Sequence, residues 1–99
     1  MKIKTELFEE FYDNGQLSYR GNYRLRNKKR HGLCESYYPN GKLEYSINYS
    51  NGKQHGLCEY YHYNGQLSCK GTYVNGQYYG LWCWFDENGG IIKEEFFKK

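Results

Sequence analysis

The dipeptide Asn-Gly recurs along this chain at nearly constant spacing, and this repeat constrains the fold more than any other feature. The main series, separated by 26, 24 and 24 residues, comprises Asn14-Gly15, Asn40-Gly41, Asn64-Gly65 and Asn88-Gly89. A second series falls between these turns at Asn51-Gly52 and Asn75-Gly76, and its expected first member is degraded to Asn27-Lys28. Because Asn-Gly accepts the positive φ angles of a type I′ turn, the spacing predicts a string of β-hairpins and therefore a repeat protein.

The segments between these turns predict eight strands. Three segments align without gaps after a glycine, at 32–38, 56–62 and 80–86, and the strands that return from them cover 43–49, 67–73 and 91–97. A first strand around 7–12 returns through 17–23. Because every connection is a tight turn, successive strands pair antiparallel. The sequence therefore predicts an all-β fold, a single elongated and twisted antiparallel meander of about eight strands, in one domain over residues 1–99.

Centring each hairpin on its turn predicts the register. The predicted pairs are Cys34 with Ile47, Ser36 with Tyr45, Tyr60 with Cys69 and Trp84 with Lys93, and between hairpins Tyr45 with Cys58 and Ile47 with Gly56. One face then carries most aromatic side chains, and the other carries polar ones, with cross-strand ion pairs Glu9–Arg20 and Glu59–Lys70. Leu33, Leu57 and Leu81 interrupt the polar face.

Composition agrees with a thin sheet. Only 38% of residues are hydrophobic, yet 20% are aromatic and 13 are tyrosine, a residue typical of half-solvated surfaces. The sequence contains no helix long enough to cover the aromatic face, so this face either packs on itself or contacts a partner. The candidate partner-binding residues on it are Tyr45, Tyr60, Trp82 and Trp84.

Residues 49–67 read Y-S-N-G-K-Q-H-G-L-C-E-Y-Y-H-Y-N-G-Q-L. This run resembles the MORN repeat, in the bacterial variant whose unit is roughly Y-x-N-G-K-x-x-G-x-W-x-x-Y-Y-x-N-G-x-L. Trp82 matches the tryptophan of that unit, while Cys34 and Cys58 replace it in earlier repeats. The resemblance covers nearly the whole chain, about three and a half repeats of 24 residues. It implies an elongated sheet of hairpins acting as a scaffold, dimerisation module or lipid-associated element, or as an antitoxin-like protein that neutralises a partner protein.

The array breaks its own spacing at one place. From the repeat tyrosine to the repeat glycine the distance is seven residues in 49–56 and 73–80, but nine in 23–32. The irregular segment near 24–31 is cationic, and we call residues 24–31 the basic insert. Together with the nearby Arg20, its candidate partner-binding residues are Arg24, Arg26, Lys28, Lys29 and Arg30. The insert is either a solvated, mobile loop or a projection that binds phosphates or an acidic protein surface.

Other chemistry is scarce in the sequence. The four cysteines form no C-x-x-C motif, so reduced, apolar-like thiols are expected. His31 and His55 precede equivalent glycines, and Tyr79 takes their place in the next repeat, which indicates a packing position at a strand end. No motif of catalytic spacing occurs, so the sequence predicts a non-enzymatic protein without a cofactor or metal. No apolar run approaches the roughly 20 residues of a spanning helix, and no signal peptide is evident, so we expect a cytoplasmic protein.

Three functions remain open on this basis. The leading hypothesis is a binding module that docks on another protein and modulates or inhibits it, as an antitoxin-like protein or a phage-type inhibitor of a nucleic-acid-guided defence nuclease. The first alternative is binding of nucleic acid or anionic lipid through the basic insert. The second alternative is a self-assembling scaffold that pairs through an edge strand or the aromatic face, so that the chain is a monomer or a homodimer.

Overall fold

The computed structural model describes residues 3–98, which form one eight-stranded sheet. The strands are β1 (Thr5–Phe11), β2 (Leu17–Arg24), β3 (Gly32–Tyr37), β4 (Leu43–Ser50), β5 (Lys53–Tyr61), β6 (Leu67–Val74), β7 (Gln77–Phe85) and β8 (Ile91–Phe97). Neighbouring strands pair antiparallel in chain order, so the sheet is an open meander with β1 and β8 at its edges. The predicted all-β meander is confirmed.

The described residues form a single layer. Their extents are 41 × 41 × 14 Å, and the 14 Å dimension accommodates one sheet with side chains on both faces. A second packed sheet would lie about 10 Å from the first and would require a thicker molecule. Each face of the sheet therefore presents its side chains without a covering layer from residues 3–98.

The two series of Asn-Gly turns have different geometries. In the second series both residues have positive φ, 49° and 91° at Asn51-Gly52 and 51° and 85° at Asn75-Gly76, as a type I′ turn requires. In the first series only the glycine does, for example Gly15 at 89°. There the N–H of Tyr12 donates to the carbonyl of Gln16, which encloses a three-residue loop with a left-handed glycine. The type I′ prediction is therefore wrong for the first series.

The predicted register is confirmed within hairpins and wrong between β4 and β5. Cys34 lies opposite Ile47 as predicted, but Ile47 pairs on its other side with Cys58, not with Gly56. Likewise Tyr45 pairs with Tyr60 instead of Cys58. Tyr49 pairs with Gln54, so β5 uses two more residues than β4 over this stretch, and Gly56 bulges there with φ 108°. An even shift keeps each side chain on its face, so the two predicted faces persist.

The core lies on one side of the sheet, which we call the aromatic face. Its buried side chains are Tyr19, Cys34, Ile47, Cys58, Cys69, Tyr73 and Trp82. The Trp82 ring lies flat on Gly71, where an added Cβ would come within 2.1 Å of the indole. Tyr78 stacks on the opposite side of the indole at 4.2 Å between ring centroids, and Trp82 Nε1 donates to the carbonyl of Thr72 at 3.0 Å.

A ladder of side-chain hydrogen bonds joins each first-series turn to the next first-series turn, at the end of the strands where these turns lie. The hydroxyl of Tyr12 donates to the carbonyl of Tyr37, and that of Tyr38 donates to the carbonyl of Tyr61. At the next equivalent position His62 Nε2 bonds the carbonyl of Phe85. The turn asparagines add a second set of bonds, in which the Nδ2 groups of Asn14, Asn40 and Asn64 donate to the carbonyls of Pro39, Tyr63 and Glu87, respectively. Each contact spans about one repeat. The ladder therefore couples every hairpin to its successor.

A corresponding contact occurs at the other end of the strands, where the second-series turns lie. His31 Nδ1 accepts a hydrogen bond from the N–H of Asn51 at 3.0 Å, and His55 Nδ1 accepts one from the N–H of Asn75 at 3.2 Å. The repeated histidine position is therefore a hydrogen-bond acceptor for the following turn. Tyr79, in the equivalent position of the last repeat, precedes no further turn of this series.

Candidate functional site

The basic insert folds as a hydrogen-bonded turn. The N–H of Arg24 donates to the carbonyl of Lys29, and the N–H of Lys28 donates to the carbonyl of Arg24, both at 2.8 Å. Asn27 Oδ1 accepts from the N–H of Lys29 at 3.0 Å. Lys28 has a φ of 62°, the left-handed conformation that glycine occupies in the other turns. The irregular spacing thus produces a longer turn that closes on itself.

Hydrogen bonds join this turn to the Asn51-Gly52 turn. Asn51 Oδ1 accepts hydrogen bonds from Asn27 Nδ2 at 2.9 Å and from Arg24 Nη1 at 3.3 Å. The N–H of Gly52 donates to the carbonyl of Arg30 at 2.7 Å. The position of the insert relative to β4 and β5 is therefore set by contacts from both its backbone and its side chains.

Arg30 is directed onto the aromatic face. Its guanidinium carbon lies 5.4 Å from the ring centroid of Tyr19 and 5.4 Å from that of Tyr49, and its Nη1 donates to the Tyr49 hydroxyl at 3.4 Å. A guanidinium over an aromatic ring contributes about 0.5–2 kcal/mol, depending on how far it is desolvated. Arg30 therefore links β2 to β4 across β3, and much of its contact surface is already used within the sheet.

The remaining predicted cations do not form one patch. Arg20 lies on the opposite face, where its Nε binds Glu9 Oε2 at 3.0 Å, as predicted for this ion pair. The methylene chain of Lys29 lies along the Asn51-Gly52 turn. Arg26 and Lys28 are exposed, and neither forms an ion pair within residues 3–98. Lys29 is exposed as well, so these three side chains are the accessible part of the predicted basic site.

The predicted aromatic contacts divide by burial. Trp82 is 0% exposed, so it supports the sheet and offers no surface to a partner. Tyr45, Tyr60 and Trp84 are half-buried on the same face, with the rings of Tyr45 and Tyr60 6.0 Å apart. Lys93 lies 5.1 Å from the centroid of the Trp84 ring. The aromatic surface open to solvent therefore includes Tyr45, Tyr60 and Trp84 but excludes Trp82.

The opposite face carries a row of exposed leucines, and we call it the leucine face. Its members Leu7, Leu33, Leu57 and Leu81 are 51%, 42%, 70% and 55% exposed, on β1, β3, β5 and β7. They are absent from the predicted site residues. The signal that identifies them is their position directly after the repeat glycine in three of the four repeats.

The side chains capable of metal binding or nucleophilic chemistry are few in the described part of the chain. Residues 3–98 contain no cluster of three or more side chains able to hold a metal ion. The four cysteines are buried and unbridged, and burial raises the pKa of the Cys58 thiol to about 12 and that of Cys69 to about 11. Thiols with such pKa values are protonated at neutral pH, which makes them poor nucleophiles.

The second predicted ion pair of the leucine face does not form. Glu59 and Lys70 are paired in register, yet Glu59 Oε1 accepts a hydrogen bond from the Tyr61 hydroxyl at 2.8 Å and makes no salt bridge with Lys70.

Within the part of the chain that is described, no helix has the length and hydropathy needed to cross a bilayer.

Comparisons with known proteins agree with this architecture. A family model described as MORN repeat variant matches four segments, residues 7–24, 30–51, 54–75 and 78–99. The gap between the first two matches, residues 25–29, lies in the basic insert. Neither the curated proteins nor the solved structures gave a match. MORN repeats are non-catalytic modules that bind proteins or membrane lipids. With four repeats matched over most of its length, this chain belongs to the MORN repeat variant family.

Proposed function

We propose that this chain is a non-enzymatic protein-binding module that docks on a partner protein and modulates or inhibits it. The observation that carries the proposal is the aromatic face, which no second layer of residues 3–98 covers. Tyrosine and tryptophan supply large contact area with a polar tip and are enriched among residues that dominate binding energy. Tyr45, Tyr60 and Trp84 are half-buried, so they are held in place and still accessible.

Rigidity favours the same interpretation. Tyr45 packs against Tyr60, and the Tyr60 and Tyr73 hydroxyls lie 3.1 Å apart within hydrogen-bonding distance. Trp84 is stacked near Trp82 with ring centroids 6.1 Å apart. Side chains that are fixed before binding lose less conformational entropy when a partner docks. The aromatic face is therefore suited to binding a protein surface without rearrangement.

The finer proposal is an antitoxin-like inhibitor, with a nuclease as one class of target. Nuclease active sites hold their metal ions with clustered carboxylates, which attract cations. Arg26 and Lys28 project from a turn that is fastened to the sheet, so they could occupy such a site or the nucleic-acid channel beside it. The family resemblance to antitoxin-like proteins supports inhibition as the outcome of docking.

The test is affinity capture from the lysate of the native host, with and without added nuclease. We expect one near-stoichiometric protein partner that survives nuclease treatment. Trp84→Ala should reduce its recovery at least about tenfold, because truncating an interface hot spot costs roughly 2 kcal/mol or more. Phe85→Ala is the matched control, since Phe85 is the adjacent, half-buried aromatic residue on the opposite face.

The contribution of the basic insert is tested separately. Arg26→Glu with Lys28→Glu should weaken capture, whereas the same charge change at Lys42 and Lys98, away from the insert, should not. Loss of capture in both double variants would show that only net charge matters and would contradict docking through the insert. Failure to capture any protein, with the chain folded, would contradict the binding-module proposal itself.

A second candidate function is binding of nucleic acid or anionic lipid, favoured by the exposed cations Arg26, Lys28 and Lys29 of the insert, none of which forms an ion pair within residues 3–98. If Arg26 and Lys28 contact two phosphates, log K should fall with log salt at a slope of about −1.8 on duplex DNA. Fluorescence anisotropy with labelled duplex, and co-sedimentation with phosphatidylserine or phosphatidylcholine vesicles, measure the two cases. Binding unchanged by salt and by the double charge reversal would contradict this function.

A further inference from the structure

A continuous row of charged and polar side chains crosses the leucine face on all eight strands. In strand order the row is Glu9, Arg20, Glu35, Ser46, Glu59, Lys70, Cys83 and Glu94, each paired with the next in the ladder. Acidic residues lie on the odd-numbered strands β1, β3 and β5 and on the edge strand β8, and basic residues lie on β2 and β6. The charge therefore varies in an ordered way across the face.

Most charges in the centre of this row have no partner of opposite sign. Arg20 and Glu9 neutralise each other, but among the described residues Glu35 and Glu59 accept side-chain hydrogen bonds only from the tyrosine two residues later on the same strand. Lys70 makes no ion pair with any residue of 3–98. The centre of the row thus presents two unneutralised carboxylates and one unneutralised ammonium group beside the apolar residues of the face.

Near its centre the leucine row alternates between projections and depressions. Leu33 lies opposite Asn48, and Leu57 lies opposite Thr72, so each of these two central leucines is followed on the next strand by a shorter polar side chain. At the β8 edge Leu81 lies opposite Phe96 instead. Between Leu57 and Leu81 the shorter residue leaves a groove of about 440 Å³. A surface of alternating projections and depressions at one spacing can interlock with a copy of itself.

We propose that two copies of this chain pack leucine face against leucine face in a two-fold symmetric dimer. The axis runs parallel to the strands, between β4 and β5, so that β3 of one copy lies over β6 of the other and β4 lies over β5. Rotation about this axis keeps each side chain at its own level along the strands. The leucine rows therefore meet each other, and the charged rows meet each other.

The contacts nearest the axis are complementary in both rows. Leu57 enters the depression at Asn48 of the partner subunit, and Leu33 enters the one at Thr72 of the partner subunit. In the charged row, Ser46 meets Glu59 of the partner subunit. The two-fold symmetry doubles each of these contacts. Near the axis, each leucine of one copy therefore packs against a shorter polar side chain of the other copy.

The same operation pairs the unneutralised charges. Glu35 meets Lys70 of the partner subunit, and Lys70 meets Glu35 of the partner subunit. At the outer edge Glu9 approaches Glu94 of the partner subunit, but Arg20 already neutralises Glu9 and lies one strand away. Glu35 and Lys70, each without a partner of opposite sign within one copy, are therefore paired between the two copies.

The face is large enough for a stable interface. Eight strands about 4.8 Å apart and three rows of side chains about 7 Å apart cover roughly 38 × 20 Å. This flat area is close to the roughly 800 Å² that each partner buries in a typical specific complex. Twisted sheets that pack face to face keep their strands within about 30° of each other, so the central contacts survive the twist.

The test is a charge exchange followed by analytical ultracentrifugation of the full chain over a concentration series. We expect wild type to dimerise, and Glu35→Lys or Lys70→Glu alone to raise the dimer Kd at least about tenfold by placing like charges together. The double variant with both substitutions should return the Kd to within about threefold of wild type. Within one copy the two residues are three strands, about 14 Å, apart, so this restoration reports contact between copies.

A second pair of variants guards against loss of folding. Leu57→Asp should give a monomer with unchanged circular dichroism, because Leu57 is 70% exposed and its replacement leaves the core intact. Ile91→Asp, at an apolar residue on β8 that is 62% exposed, should leave the dimer unaffected. A monomeric wild type, a double variant that stays monomeric, or a dimer that survives Leu57→Asp would overturn the proposal. These measurements involve no captured partner, so they succeed or fail independently of the proposed function.

Discussion

Trp82 illustrates how a single-layer sheet buries its largest side chain. The indole lies flat over Gly71 and is covered by Tyr78, and its N–H finds the carbonyl of Thr72. The absence of a side chain at Gly71 makes this arrangement possible. The same relation recurs at the other end of the sheet, where the Tyr19 hydroxyl lies over Gly21. Glycine in these strands is therefore a packing requirement of the aromatic face.

Gly71→Ala should consequently be severely destabilising. The added methyl would overlap the Trp82 ring, and overpacking of this kind costs roughly 3 kcal/mol. Gly76→Ala is the control, because a Cβ there meets open space and only its left-handed φ of 85° costs about 1 kcal/mol. Urea denaturation of both variants measures the difference. Equal losses would show that the Trp82 contact adds nothing to the backbone effect.

Residue roles were the part least predictable from the sequence. The position of Trp82 on an aromatic face follows from alternation, but its complete burial depends on Tyr78, which belongs to the same strand beyond a bulge. Arg30 reads as one cation among several, and only the longer turn directs it between Tyr19 and Tyr49. Spacing places residues on a face, whereas bulges decide which of them touch.

At the scale of elements, hairpins are joined in one direction. The side chain three residues before each internal first-series glycine donates to the hairpin that follows, as Tyr38 does to the carbonyl of Tyr61. In the last hairpin this position is Asp86, which has no successor within the sheet. Asp86 Oδ1 instead accepts from the N–H groups of Asn88 and Gly90 in its own turn, at 2.9 and 2.8 Å. The final turn is therefore closed by its own aspartate.

Asn64→Ala should weaken the joint between the third and fourth repeats. Its Oδ1 accepts from the N–H of Gln66 and its Nδ2 donates to the carbonyl of Glu87, each at 2.9 Å. Loss of two exposed hydrogen bonds should reduce the unfolding free energy by about 1 kcal/mol. Asn88→Ala, in the last turn, should change it by less than about 0.5 kcal/mol. Equivalent losses in chemical denaturation would contradict a role for the ladder.

Asp86 should also give the stability an acid dependence. Hydrogen bonds from the N–H groups of Gly90 and Asn88 hold the pKa of the Asp86 carboxyl below its usual value. A carboxyl with a lowered folded-state pKa contributes stability above its unfolded pKa of about 3.9, and that contribution disappears as pH falls through the folded value. Asp86→Asn should therefore flatten the decline of thermal stability below about pH 4. Asp13→Asn is the control, and an identical decline in both variants would argue against Asp86.

The sequence predicts the elements better than the joints between them. Centring each hairpin on its Asn-Gly dipeptide suffices to predict the strand pairing inside the hairpin, as at Tyr60 and Cys69. The β4–β5 register escapes this rule because the bulge at Gly56 adds two residues to one strand. The loop type of the first series escapes it because Asn14 Oδ1 caps the N–H of Gln16, which stabilises a three-residue loop over a two-residue one.

Across the whole molecule, stability is distributed unevenly. The buried cluster of Ile47, Cys58, Cys69, Tyr73 and Trp82 lies on β4–β7. All seven residues of β1 are exposed, and the ladder between β2 and β3 pairs only Tyr19 with Ser36 and Arg20 with Glu35, beside one isolated bridge. The first hairpin is therefore held to the remainder of the sheet by the shortest ladder.

Hydrogen exchange under native conditions should reveal this gradient. Amides of β4–β7 should exchange slowest, with protection close to the global unfolding free energy, and those of β1 and β2 should exchange through smaller openings. Exchange of backbone amides followed by mass spectrometry of peptides measures both regions in one sample. Uniform protection across the eight strands would show instead that the sheet unfolds as one cooperative unit.

Because the ladder runs in one direction, the sheet is built in fixed increments. Each internal unit receives a bond from the unit before it and gives one to the unit after it, and Asp86 ends the series. Duplicating one internal 24-residue unit would add two strands, about 9.6 Å, without altering either terminus. The reach of such a chain can thus be lengthened in whole steps while the surfaces at both ends stay the same.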